Sequence, residues 1–156
     1  MRKFAIVLSA IFILAMACGS AGGPEQVVQK FLDAWNSGDG DAVASCMSSE
    51  GLVELDGFIE ILRAAPDESV AQLAMMGLEF TPEEVADLTV GQFLTAMLSS
   101  EMASADMPDL SDVVIGETTI SEDGQSAVVN VTTDGEEEEL ELVLEDGSWK
   151  ISKTPE

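Results

Sequence analysis

Eight carboxylates crowd into one short stretch: Asp134, Glu136, Glu137, Glu138, Glu139, Glu141, Glu145 and Asp146. Acid at this density suggests a cation site, and calcium asks for about six to eight oxygen ligands that converge on one point. The stretch instead alternates Leu140, Leu142 and Leu144 with Glu139, Glu141 and Val143, the period of a β-strand. A strand sends successive side chains to opposite faces, so these oxygens do not converge. The run reads as a solvated strand whose charge discourages edge pairing, with weak, nonspecific divalent binding at most. No metal site and no cofactor is expected.

Other chemistry is bounded by what is missing. The chain has no His and no Tyr. A Ser-His-Asp triad, a Cys-His pair and a His-based zinc site therefore cannot be built. Asp33, on the first apolar-periodic segment, would serve as a general base only if burial raised its pKa. Its place beside Leu32 on an amphipathic helix puts it on the solvated face. Cys46 lies among small apolar residues, Ala42 to Met47, and reads as a buried thiol with nothing basic nearby to activate it. With 30 acidic and 6 basic residues in 156 and a formal charge of -24, a phosphate backbone is repelled, which excludes nucleic acid.

The N-terminus carries an address. Arg2 and Lys3 precede an apolar run, Phe4 to Leu14, followed by Ala15, Met16, Ala17 and Cys18, the order of a secretory signal. The run is shorter than the roughly 20 residues that a spanning helix needs. Two processing outcomes fit. Ala15-Met16-Ala17 suits ordinary signal peptidase and plain secretion. Leu14 to Cys18 also resembles the lipobox of bacterial lipoproteins, with Ala15 where Leu is usual; Cys18 would then be the acylated residue, palmitate being the chain expected. The flexible Gly19 to Pro24 segment suits a tether and favours the anchor. Removing residues 1–17 leaves 4 basic against 30 acidic residues, a charge near -26. The expected organisation is a signal peptide at 1–17, a lipidated Cys and tether at 18–23, and one domain at 24–154.

The elements that must position any site follow from period and punctuation. Val27, Val28, Phe31, Leu32 and Trp35 mark one helix face after Pro24, closed at Gly38. Asp39 or Asp41 starts a second helix running to Met47. Between Leu52 and Ser104 the pattern stays helical, with breaks at Pro66 and Gly77, a capping box at Thr81 to Glu84 and a break at Thr89. Met102 to Asp112 reads as a connecting loop. From Val113 the period becomes two, and turn residues at Glu122 to Gly124, Asp134-Gly135 and Asp146-Gly147 predict four strands in an antiparallel meander, one face apolar and one acidic. Helices first and strands last define an α+β domain.

Two segments carry a resemblance. Glu25 to Asp39, with its helix and Gly-Asp turn, resembles the opening of the nuclear transport factor 2-like superfamily. Gly147-Ser148-Trp149-Lys150-Ile151 is similar to that superfamily's last strand, and Ser121 to Leu144 resembles its paired central strands. The resemblance extends to bacterial lipoproteins that carry a small domain of this kind. It implies a cone, with helices packed on a curved four-stranded sheet and a pocket at the open end. Enzymatic members place Asp, His or Tyr there; this chain has neither His nor Tyr, and no catalytic residue is assigned.

Phe31, Trp35, Phe58, Phe93, Met97 and Trp149 are the residues expected to line such a pocket or to fill its core. The expected function is an extracytoplasmic, membrane-anchored lipoprotein whose non-catalytic domain binds a small apolar ligand or a partner protein of the envelope. An enzyme using a buried carboxylate, and a structural envelope protein without a ligand, are the alternatives.

Overall fold

In the computed structural model, residues 22–104 and 110–153 are described. The signal segment, Cys18, most of the tether and Thr154 lie outside them. No described helix is long and apolar enough to cross a membrane.

The helical layer comes first. α1 spans Pro24–Ser37 and α2 spans Gly40–Cys46. α3 runs over Ser49–Ala64 and α4 over Pro66–Met75, with Ala65 as the hinge that Pro66 forces between them. α5 is Pro82–Ala86 and α6 is Val90–Ser99. Thr81 and Glu84 bond reciprocally as a capping box, and the break at Thr89 is a second such box, closed by Gln92. The segment read as a loop from Met102 begins instead as a short helical turn, α7, at Glu101–Ser104.

The strands follow as β1 Val114–Ile120, β2 Ser126–Thr133, β3 Glu136–Glu145 and β4 Ser148–Lys153. They pair in the order β1-β2-β3-β4, all antiparallel, as the three turns predict. Asp134-Gly135 and Asp146-Gly147 all have positive φ, the geometry that a tight two-residue hairpin requires. The edge of β4 is covered where Met47 bridges Ile151 in parallel and the Ser48 N–H donates to the Ile151 carbonyl at 2.8 Å. The expected α+β class, helices packed against an antiparallel sheet, is what the structure has.

The apolar residues divide into two cores. The first joins α1 and α2 to the sheet through Val28, Phe31, Leu32, Val43, Val129, Val131, Leu140, Leu142 and Ile151. The second contains no strand residue and is built by α3 to α6 and their connections from Ile59, Leu62, Leu73, Leu78, Val85, Leu88 and Phe93. Leu94 of α6 packs against both.

Candidate functional site

Between α1 and the sheet lies a cavity of about 470 Å³. Its position follows from the sheet parity. On β2, Ala127, Val129 and Val131 are buried, so the odd-numbered residues face the helices. Their register partners on β3 are Leu142, Leu140 and Glu138. Partners directly opposite one another share a face. Counting back along β3, the inner face therefore changes from leucine to glutamate toward the Asp134-Gly135 turn. Thr133, Glu138, Val131 and Leu140 line the sheet wall of the cavity.

The opposite wall is α1. Its aim is set at both ends: Pro24 occupies the first turn, and Gly38 adopts the left-handed conformation, φ 73°. There the Gly38 N–H bonds the Trp35 carbonyl at 3.1 Å and the Asp39 N–H bonds the Ala34 carbonyl at 2.9 Å. Phe31 and Trp35, four apart, stack on one face with centroids 5.8 Å apart. Phe31 and Leu32 are buried, whereas Trp35 is half-buried and closes the wall toward solvent. Val43, Met47, Leu55 and Leu94 continue the apolar lining, together with Leu110 and Val113 from the segment before β1. The Asn36 amide nitrogen donates to the Leu110 carbonyl at 3.4 Å, tying that segment to α1.

Of the six aromatic and Met residues expected at the pocket, the structure brings together only Phe31 and Trp35. Phe58 and Phe93 meet edge-to-face, centroids 5.6 Å apart, in the helical core, where Met97 also packs. Helical spacing identifies a buried face without specifying its partner, and α3 and α6 turn theirs toward each other. Trp149 does face inward, paired with Leu144 and packed on the first core. Leu144 stands six residues along β3 from Glu138, or about 20 Å at strand rise. Trp149 does not line the cavity.

No family model matches this chain, and no curated protein matches it. Among solved structures, one similar chain is the Campylobacter jejuni protein named "Putative NTF2-like transpeptidase", determined at 2.00 Å. It superposes with a TM-score of 0.40 at 18% identity, over 85% of this chain and 100% of that one.

Glu138 and Thr133 are the functional candidates that sequence reasoning missed. The alternation read from the sequence sends these carboxylates to opposite faces of a solvated strand, and the register shows which: Glu136 and Glu138 share the leucine face, and Glu137, Glu139 and Glu141 lie on the other. Counting by twos from Leu142 toward Asp134 was the available signal. Asp33 is exposed and accepts a hydrogen bond from the Gln29 amide at 2.8 Å, on the solvent side of α1. Cys46 is buried in the first core. Among the described residues, no three acidic or thiol side chains gather as a metal site.

Proposed function

We propose that the protein is a membrane-anchored, extracytoplasmic lipoprotein whose folded part is a non-catalytic binding domain for a small apolar molecule. The observation that carries this reading is the cavity between α1 and the sheet. At about 470 Å³ it is within the usual range for small-ligand pockets. Its walls are mostly Phe, Trp, Leu and Val, with the carboxylate of Glu138 and the hydroxyl of Thr133 at the sheet end. A general acid or base would have to be held in a desolvated position to be tuned for chemistry near neutral pH. Glu138 is exposed, and Asp33 lies outside the cavity. The sequence from Arg2 to Cys18 and the following Gly-rich tether support the anchor.

An apolar fluorescent dye titrated into the protein tests the reading. Trp35 is in the cavity wall and Trp149 does not line it, so a bound ligand perturbs the Trp35 indole more directly than that of Trp149. Saturable dye binding that Trp35→Ala abolishes, with the fold retained, is the expected result. Dye binding of equal strength in Trp35→Ala would place the site elsewhere.

A further inference from the structure

We infer that the occupant of the cavity is an amphipathic cation, an apolar body carrying a positively charged amine or alkylammonium head. This rests on the cavity being the binding site, and adds the chemistry of what it selects. Three observations converge. Among the described residues, Glu138 is the only charged side chain in the cavity wall, and it is acidic. It stands on the sheet's apolar face opposite Val131, one residue pair beyond the buried Leu140–Val129 pair, so a head group at Glu138 leaves the body of the ligand against Leu140, Phe31 and Trp35. Trp35 belongs to the last turn of α1, where no basic residue is present. The carbonyl end of a helix carries partial negative charge, and an indole face attracts alkylammonium groups.

Three basic side chains among the described residues are engaged away from the cavity wall. Lys30 donates to the Ser45 hydroxyl at 2.9 Å, Lys150 to the Ser45 carbonyl, and Arg63 to the Leu88 carbonyl at 2.6 Å. A formal charge of -24 adds a long-range field that draws cations toward the surface and repels anions. A fatty carboxylate in the same pose would set its head against Glu138. The cavity therefore discriminates by sign of charge where its apolar walls cannot.

The test uses three probes of equal chain length below their micelle concentrations: decyltrimethylammonium, decanol and decanoate. Binding is followed by Trp fluorescence and calorimetry on the full chain. The expected order is cation, then alcohol, then anion, with the cation ahead of the alcohol by roughly fivefold, as befits an exposed charge contact. Glu138→Gln is expected to remove most of that advantage and leave decanol unchanged. Glu139→Gln removes the same charge from the opposite face, at the position paired with Asn130, and is expected to preserve it. Circular dichroism verifies the fold of both variants. Equal affinity for cation and alcohol, or equal effects of the two substitutions, would overturn the assignment to Glu138 while leaving the apolar site intact. Failure of all three probes to bind would overturn the binding function itself.

Discussion

Gly40, in the first turn of α2, and Gly91, in the first turn of α6, lie back to back where those helices cross. A Cβ on Gly40 would collide with the Gly91 carbonyl and the Thr95 N–H and come within 2.7 Å of the Leu94 carbonyl carbon. A Cβ on Gly91 would strike the Asp41 side chain and approach its Cα to 2.8 Å. The Gly40 N–H donates to the Thr95 hydroxyl at 2.9 Å, so the contact is bonded as well as close. This crossing holds the helical core against the core that carries the cavity.

Gly40→Ala and Gly91→Ala are each expected to destabilise the protein by about 1–3 kcal/mol, because backbone cannot yield as a side-chain tip can. Gly57, within α3, has nothing within 4 Å of its added Cβ. Gly57→Ala should therefore stabilise, by up to about 1 kcal/mol of helix propensity. Denaturation midpoints of the three variants check the contrast, and a Gly40→Ala protein as stable as the parent would mean that the crossing is loose.

The division into two cores separates stability from binding. Phe93 is 2% exposed in the helical core, and Phe93→Ala should cost about 3–5 kcal/mol. The milder Phe93→Leu keeps the fold and is expected to bind dye as the parent does. Trp35→Ala, at a half-buried position, should lose less stability yet lose the ligand. Loss of dye binding in Phe93→Leu would show that the helical core shapes the cavity after all.

Much of this fold was legible because its signals are local. Pro24, Gly38, the Thr81–Glu84 pair and the two Asp-Gly turns each act through backbone geometry within a few residues, and each delimits an element in the structure. Pairings between distant segments were not legible. Nothing in the spacing of Phe58 and Phe93 distinguishes a helix packed on a sheet from a helix packed on another helix. Glycines 40 and 91 likewise look like ordinary turn and helix residues until the crossing is seen. Glu138 is intermediate: its parity was present in the sequence, but nothing local shows that a cavity lies against that part of the leucine face.

Added salt is expected to raise the denaturation midpoint. Three of the four basic residues that would remain after cleavage, Lys30, Arg63 and Lys150, bond uncharged oxygens, as described above. Thirty acidic residues thus act mainly through mutual repulsion. At 0.1 M ionic strength the screening length is already about 10 Å, so most of the gain should come below half-molar chloride. A midpoint that falls with salt would mean that attractive ion pairs outweigh the repulsion.

Membrane attachment is expected to depend on Cys18. Intact mass of the processed protein should equal that of a chain beginning at acylated Cys18, and Cys18→Ala should move the protein from the membrane to the soluble fraction. A soluble, unmodified chain beginning at Cys18 would instead establish plain secretion.

Acid should undo one cap in a defined direction. The Thr81 N–H and hydroxyl both bond the Glu84 carboxylate, at 2.8 and 3.0 Å, and these bonds hold its pKa below the ordinary value, the backbone bond contributing most. Asp123 is lowered similarly by the Ser121 hydroxyl and then by the Gln125 N–H. A carboxylate whose folded pKa is depressed stabilises the fold above its unfolded value, near pH 4, and that contribution disappears as pH falls through the folded value. Raw acid titration would mix this loss with relief of the overall repulsion, so the comparison needs matched charges. Glu84→Gln and Glu83→Gln each remove one charge from the first turn of α5, and glutamine still serves as a neutral acceptor in the box. At pH 7 Glu84→Gln should be the less stable of the two, and the gap should close toward pH 3. A gap that persists unchanged into acid would mean that Glu84 acts through the shape of the box rather than through its charge.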